Sequence, residues 1–593
     1  HLPFDGVVCK CIVEELKNKI VDGRIEKVFQ PEKDEVIIFI RAKGENQKLL
    51  LSANPSFPRI HLTSIQKQNP SVPPVFCMLM RKHLCGGKIL DVQFHDFERI
   101  ISLHIESTNE LGDICVKKLV IEIMGKHSNI ILLNNEDRII DAIKHIDQGI
   151  SSVREIMPAR HYSLPPSQDK ISPISIEPCK LIDKLISDKN MGNLSVEKAL
   201  LSTIRGFSPL LCREICHTSG LEPKTIIGDV SIEQRDMLSN SLAKILQKIK
   251  NSKFNPCILL NDDVQKQPAD FHCIKIYHHP YLLFKDSIND LLDFFYSSRD
   301  LEERLKQKKS SLMKSISNSI ERCSRKLAVQ QESIRDVADR EKLKLYGELI
   351  LANIYSIKPG DKEATVLNYY SENSQDYITI PLDENLTPQL NAQKYFKQYA
   401  KAKNTYAYAS SQLEETLKEL DYLESVQLNL ENARTMEEIE EIKAELVSQG
   451  YMHESTASGK NSKKQSKSLD PIKYISDDEF EILVGRNNMQ NDILTLKIAS
   501  SNDIWLHTKN IPGSHVIIRK KQGDIPDTTL LQAAMIAAYR SKAKYSSNVP
   551  VDYTFVKNVK KPSGSKPGMV IYDNYKTIYV TPDENILKKK GWL

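Results

Sequence analysis

The chain has no long apolar run. Its longest uncharged apolar stretch, Val72–Met80, carries two prolines and falls well short of the roughly 18 consecutive apolar residues that a membrane span requires. At the start of the sequence Asp5, Lys10, Glu14 and Glu15 interrupt any apolar region, so no secretory signal is expected. Tryptophan occurs twice, and 22 glycines and 27 prolines in 593 residues are too few for a collagen or a low-complexity polymer. The 11 cysteines, all at or before Cys323, form no CxxC pair, and no Cys/His set has zinc spacing. An odd number without paired spacing argues against a disulfide framework; free buried thiols in a reducing cytoplasm are the expectation.

Catalytic signatures are missing as well. There is no Walker loop, no GxGxxG, no HExxH and no GxSxG. His61, His83, His95, His104 and His127 stand singly. The expectation is a binding factor without an enzymatic centre, metal or cofactor.

What is present is an ordinary globular composition, 40% hydrophobic and 27% charged, long enough for about three to five domains. The net charge of +5 says little, but its distribution says more. From Trp505 to Leu593 there are 15 Lys/Arg against 6 Asp/Glu, and Ser455–Ser468 holds Lys460, Lys463, Lys464 and Lys467 with no acid. So local a basic surplus suggests a polyanionic partner; the plainer reading is a solvated face and a linker.

Residues 1–165 read as mixed α/β, with strands at Val36–Ile40, Leu49–Ser52, Ile100–Ile105, Leu119–Met124 and Asn129–Leu133, and helices at Val13–Ile20 and Phe76–Leu84. A Pro-rich turn, Leu164–Pro166, closes this region. Residues 175–252 are helical, and Gly206-Phe207-Ser208-Pro209 before Leu210–Cys216 resembles half of a helix-hairpin-helix, a module that grips nucleic-acid backbone through loop N–H groups. Apolar residues at heptad-compatible spacing over 299–345 (Leu305, Leu312, Ile316, Cys323, Leu327, Ile334, Val337) recur over 395–447 (Tyr399 to Leu430). This predicts an antiparallel coiled-coil hairpin around a compact insert with strands at Thr365–Tyr370 and Asp376–Ile380. After a Ser/Lys/Gly-rich linker, order returns with strands at Glu481–Val484, Asp503–Leu506, Tyr553–Val559 and Thr577–Val580 and a helix at Leu530–Tyr545.

Two groups of residues invite a binding role. In the C-terminal block Trp505, His507 and His515 could stack on bases, and Lys509 and Arg519 could neutralise phosphates; equally, Trp505 could be core with the histidines packed beside it. In the N-terminal region Glu98-Arg99 opens a strand and Glu122-Ile123-Met124-Gly125-Lys126-His127 ends a later one. An Arg beside a carboxylate can present a fixed fork to a base or phosphate, or it can be a surface ion pair of little consequence.

Several motifs carry a family resemblance: Leu2-Pro3-Phe4-Asp5-Gly6, Asn54–Thr63, Met78–Lys88, Glu122–Asn129, Tyr395-Phe396-Lys397, Val484–Asn487 through Asn491-Asp492, and Asp503–Arg519. In this order and along essentially the whole chain, they resemble the NFACT family, which includes the bacterial RqcH proteins, formerly described as fibronectin-binding protein A-like, and eukaryotic NEMF. The chain is most similar to the bacterial RqcH branch. The resemblance implies a multidomain α+β protein. Its expected parts are an Fpg-like α/β N-terminal domain (1–170), a helix-hairpin-helix module (171–255), a connecting segment (256–298), a long coiled-coil hairpin (299–447) with a β-containing insert (346–390), a Lys/Ser-rich linker (448–470) and a C-terminal α/β NFACT-R domain (471–593).

The resemblance also implies a function. Such proteins act in the cytoplasm in ribosome-associated quality control, not at a membrane. They bind a large ribosomal subunit still obstructed by a peptidyl-tRNA–nascent chain complex, recruit alanyl-tRNA, and promote untemplated polyalanine tailing. Peptide-bond formation belongs to the ribosome, and a small RNA-binding quality-control cofactor is an expected partner. Residues implied to bind tRNA are Glu98, Arg99, Glu122, Ile123, Met124, Lys126 and His127, with Trp505, His507, Lys509, His515 and Arg519 as RNA contacts of the C-terminal domain. Where the family has an Asp-Arg pair, this sequence has Glu98-Arg99, which moves the acid by one methylene. Two alternatives are a fibronectin-binding adhesin and an Fpg-like DNA-processing enzyme; Fpg-type enzymes follow their N-terminal proline with an acid, whereas Pro3 is followed by Phe4.

Overall fold

The computed structural model describes residues 3–264, 266–373, 375–453 and 467–593. Most of the expected Lys/Ser-rich linker, residues 454–466, lies outside the described residues. The chain divides into two compact units, one of residues up to Glu303 and one built mainly from Arg304 onward.

In the first unit, helix α1 (Gly6–Ile20) starts where the Asp5 carboxylate accepts the Val8 N–H at 2.9 Å, and ends with Lys17 and Lys19 in its last turn. Both ends thus suit the helix dipole. Val8, Ile12 and Leu16 are fully buried at helical spacing. Nine strands follow, with helix α2 (Val75–Leu84) between the fourth and fifth: β1 (Arg24–Glu32), β2 (Glu35–Ala42), β3 (Glu45–Ser52), β4 (Arg59–Leu62), β5 (Lys88–Phe94), β6 (Ile100–Thr108), β7 (Ile114–Glu122), β8 (Asn129–Leu133) and β9 (Ile139–Ala142). They form one antiparallel sheet in the order β4-β3-β2-β1-β5-β6-β7-β8-β9. Four of these strands, β1, β4, β5 and β9, were not among the sequence expectations. In β1 and β5 register shifts fall between Ile25 and Lys27, between Phe29 and Glu32, and between Ile89 and Asp91. Each bulge breaks the two-residue alternation by which a strand is recognised.

Helices α3 (Pro178–Ser187), α4 (Val196–Thr203), α5 (Pro209–Thr218) and α6 (Ile232–Lys250) then pack as a helical group, and three short strands, β10 (Cys257–Leu260), β11 (Pro268–His272) and β12 (Leu282–Phe284), make a small sheet. The Gly206–Pro209 string is the loop between α4 and α5, where Ser208 caps α5 by accepting the Leu211 N–H. All 11 cysteines are free, but Cys85 and Cys179 are exposed, so the thiols are not uniformly buried.

Helix α7 (Ile288–Asp336) has 49 residues and α9 (Pro388–Asn432) has 45, each roughly 70 Å long at 1.5 Å per residue. Between them lie α8 (Arg340–Ala352) and a hairpin of β13 (Glu363–Leu367) with β14 (Tyr377–Pro381). Leu312, Ile316 and Cys323 of α7 are buried in one cluster with Tyr422, Leu423, Val426 and Leu430 of α9. That seam is antiparallel, as the heptad pattern predicts. The boundaries differ from the expected ones. The first arm breaks after Asp336, and the second ends at Asn432 rather than at 447. Ala433 is extended there, Thr435 caps a new helix, α10 (Met436–Ser448), and Ile439, Ile442 and Leu446 fold back onto the same cluster. Tyr406, one of the heptad-spaced residues between Tyr399 and Leu430, is exposed and not on the seam, and lies under the Arg340 guanidinium at 3.7 Å.

The C-terminal sheet contains β15 (Ile472–Ile475), β16 (Glu481–Val484), β17 (Ile504–Thr508), β18 (Val516–Ile518), β19 (Val549–Phe555) and β22 (Lys576–Val580), in the order β15-β16-β18-β17-β19-β22. Helix α11 (Asn488–Ile493) follows β16, α12 (Asp527–Tyr539) covers one sheet face, and β20 (Val559–Lys560) pairs with β21 (Ile571–Tyr572). Among the described residues no helix is long and apolar enough to cross a membrane.

Candidate nucleic-acid interfaces

Between β5 and β6 the chain makes a tight turn, His95-Asp96-Phe97-Glu98-Arg99. Asp96 and Phe97 both have positive φ, 36° and 59°, a conformation that costs of order 1–3 kcal/mol per residue and persists only where the surroundings enforce it. Here they do. The Phe97 ring is buried edge-on against Phe94 at 5.4 Å. Its carbonyl lies so close to the start of α1 that a Cβ on Gly6 would come within 2.0 Å of it. Gly206, with φ +80°, approaches from the α4–α5 loop and accepts the Gly6 N–H at 3.0 Å. Two glycines distant in sequence therefore let three backbone segments meet.

That junction opens into a cavity of about 570 Å³ walled by Glu98, Arg99, Met124, Lys170, Arg205 and the Pro-rich segment from Leu164. Its charges are ordered. Asp96 accepts the Ser172 hydroxyl at 2.6 Å and pairs with Arg205. Arg205 also donates to the Lys170 carbonyl at 2.9 Å and lies 3.5 Å from Glu98. Burial lowers the pKa of the Lys170 ammonium, with Arg99 pushing the same way and Cys212 and Glu98 opposing. Among the described residues the half-buried Arg99 guanidinium takes part in no hydrogen bond or ion pair, so its donor fork is unspent.

The second motif abuts the first. Ile100 pairs with Glu122 across β6 and β7, and Ile123 donates its N–H to the Arg99 carbonyl at 2.8 Å. Ile123 is core, and Met124 reaches the cavity wall. Glu122 is fully buried: Arg154 grips it bidentately at 2.7 and 2.5 Å, and the Tyr162 hydroxyl donates to it at 2.7 Å. Burial, reinforced by the Glu122 charge, holds the Tyr162 hydroxyl well above its ordinary pKa. Glu122 therefore anchors the segment that leads into the Leu164 wall and offers no oxygen to a ligand. Lys126 and His127 sit exposed on a short 3-10 turn outside the cavity.

The C-terminal residues sort differently. Trp505 and His507 share one face of β17 and stack at 5.7 Å with planes 5° apart; His515 stands edge-on to both. Trp505 and His515 are each 1% exposed, so the reading of core packing holds for these two side chains. His515 donates from Nε2 to the Gly568 carbonyl at 3.1 Å and accepts the Thr495 hydroxyl at 2.8 Å. Burial, with His507 beside it, pushes its pKa down to about 3. Burial also lowers His507, whose Nδ1 donates to the Thr508 carbonyl at 2.6 Å. Both rings are neutral plates, not phosphate-binding cations. Arg519 stands apart, paired with Asp503 at 3.5 Å and donating to the Ile498 carbonyl. Lys509 is near the Tyr575 ring at 5.3 Å.

Asp96, Lys170, Arg205, Arg154 and Tyr162 escaped the sequence reading. Arg205 had a signal, since it immediately precedes the Gly-Phe-Ser-Pro string. Asp96 lies in the same turn as Glu98-Arg99, but its role depends, like those of Lys170, Arg154 and Tyr162, on segments that only the tertiary fold brings near.

The comparisons with known proteins agree with this architecture. Residues 5–466 match the NFACT N-terminal and middle domains, and residues 471–574 match the NFACT protein RNA binding domain. The chain belongs to the NFACT family. It is 41% identical over 594 residues to the Rqc2 homolog RqcH of Bacillus subtilis, covering 99% of this chain and 100% of that one. To the Rqc2 homolog RqcH of Streptococcus pneumoniae serotype 2 it is 34% identical over 584 residues, covering 98% of each. A solved structure, the fibrinogen binding protein from Staphylococcus aureus, is 32% identical over 50% of this chain and 99% of that chain, with a TM-score of 0.42.

Proposed function

We propose that this protein is a ribosome quality control factor that binds large ribosomal subunits obstructed by peptidyl-tRNA, recruits alanyl-tRNA and promotes polyalanine tailing of the nascent chain. The near full-length similarity to RqcH proteins supports the quality-control role. The observation that carries tRNA recruitment is the unspent guanidinium of Arg99, in the wall of a cavity where Glu98 and Arg205 already engage each other and Lys170 adds a second cation. Five N–H donors in a fixed plane suit a phosphate or a base edge. Glu98 and Met124 complete the reading surface; Glu122 and Ile123 support it from behind, and Lys126 and His127 are outlying contacts. Lys509 and Arg519, with the aromatic group around Trp505, are the proposed RNA contacts of the C-terminal domain. Catalysis of peptide-bond formation is left to the ribosome, and a small RNA-binding cofactor completes the set of partners.

Sedimentation of tagged protein through a gradient, with sequencing of the RNA that travels with it, tests this reading. Large-subunit RNA together with a tRNA fraction dominated by alanine acceptors is the expected result. Recovery free of ribosomal RNA would overturn it.

A further inference from the structure

A second cavity, of about 340 Å³, lies in the second unit, within the roughly 300–1,000 Å³ typical of small-ligand pockets. His507 and Tyr572 are half-buried in its wall, and Trp505 backs them, with its ring 4.7 Å from Tyr572 and stacked on His507. The Trp505 N–H is buried without an acceptor, which a finished core rarely leaves. The lining holds no lysine or arginine, its two histidines are neutral, and an exposed carboxylate, Asp421, stands in it. A phosphate inside would meet no cation and one repelling charge. Cations flank the lining instead. Lys509, beside Asn510, has its ammonium 5.3 Å from the Tyr575 ring, and Lys566, two residues before Gly568, has its ammonium 5.1 Å from the Tyr451 ring; Lys542, whose backbone N–H reaches the Pro512 carbonyl, pairs with Glu424 at 3.7 Å.

We infer that this cavity receives one unstacked nucleobase of an RNA strand, with its sugar and phosphates left outside among the flanking lysines. Every base has a π-face that aromatic walls can hold, and phosphate neutralisation outside adds affinity without sequence preference. Most of the wall falls within the matched RNA-binding region, residues 471–574. The inference rests on the RNA-binding part of the proposed function and adds the site and the chemical unit recognised.

The test uses the full wild-type chain and three probes: an RNA hairpin with a single bulged nucleotide, the same hairpin with that nucleotide abasic, and free adenosine monophosphate. The bulged hairpin should bind about tenfold more tightly than the abasic one. A 4-thiouridine at the bulge should crosslink to peptides containing His507 or Tyr572. Asp421→Trp, at an exposed position in the lining, should bring the ratio of the two affinities close to one. Equal affinities for the two hairpins on the wild-type chain would overturn the inference while leaving RNA binding intact. So would a crosslink confined to other regions, or a preference that survives Asp421→Trp. Displacement of the bulged hairpin by adenosine monophosphate at equal concentration would assign the cavity to free nucleotides. Failure of either hairpin to bind would remove the RNA-binding reading as well.

Discussion

The two cavities of this protein are built in opposite ways. The N-terminal one is a charged junction: Arg205 is held between Asp96, Glu98 and the Lys170 carbonyl, and the guanidinium of Arg99 is left over. The C-terminal one is a neutral aromatic slot, whose histidines each donate an N–H to a backbone carbonyl and whose lining holds no lysine or arginine. A charged fork reads geometry and discriminates; an aromatic slot holds any flat ring and tolerates sequence. What a side chain can do therefore depends on what has already been hydrogen-bonded around it: Arg99 keeps its donors, whereas His515 has spent both ring nitrogens.

The comparison can be broken most forcefully from behind the charged site. Glu122→Ala removes the buried carboxylate that Arg154 and Tyr162 share and leaves the half-buried Arg154 with only the Ser163 carbonyl; breaking a buried pair costs about 3–5 kcal/mol. We expect a lower thermal midpoint and loss of tRNA binding together, whereas a variant with unchanged melting would show that the anchor is dispensable. Arg99→Ala should spare stability, since Arg99 has no partner to lose. It should weaken tRNA binding by roughly 1.5–3 kcal/mol, the worth of a charged hydrogen bond, or about tenfold or more. Arg99→Lys should be defective too, because an ammonium cannot reproduce the planar fork. Filter binding of labelled tRNA reads both changes. Smaller still is Glu98→Asp, which restores the family acid. Its pairing with Arg205 is partly exposed, so a change under ~1 kcal/mol in either direction is expected.

The C-terminal body should also answer to pH, in two opposing ways. His515, pushed down to about 3 by burial, binds fewer protons folded than unfolded. Its contribution is present above the ordinary histidine value and is lost as pH falls through that value toward 3. Glu445, raised to about 7 mainly by burial, does the reverse: its contribution is present at low pH and is lost as pH rises through 7. Glu445→Gln removes the second slope. The variant should therefore lose stability more steeply than the wild type between pH 7 and pH 5. An equal pH dependence in variant and wild type would contradict the Glu445 assignment, and a variant whose stability does not fall between pH 7 and pH 5 would contradict that of His515.

Much of the fold was legible because its signals are local. The heptad residues Leu312, Ile316 and Cys323 and the strand Asn129–Leu133 occupy the positions that spacing predicts. Where that reading failed, a local rule had been broken by one residue: bulges in β1 and β5, and the turn at Ala433 that starts a new helix at the base of the arm. The candidate sites were legible only in part. Glu98-Arg99 and Glu122-Ile123-Met124 stand out as motifs, and their adjacency follows from one strand pair. Which member faces the cavity and which is an internal anchor depends on Arg154 and Tyr162, more than 30 residues away, and on Arg205, more than 100 away. Nor does a sequence disclose whether a histidine is spent: His515 looks like an RNA contact until Thr495 and Gly568 are found on its two nitrogens.

The role proposed for the N-terminal cavity is to recruit tRNA through Arg99 and not to hold the subunit. The most direct measurement is the ratio of tRNA to large-subunit RNA recovered with tagged wild-type and Arg99→Ala proteins from the same cells. Subunit recovery should be unchanged, and the tRNA share should fall about tenfold or more. An unaltered ratio, with both RNAs recovered at wild-type levels, would contradict it.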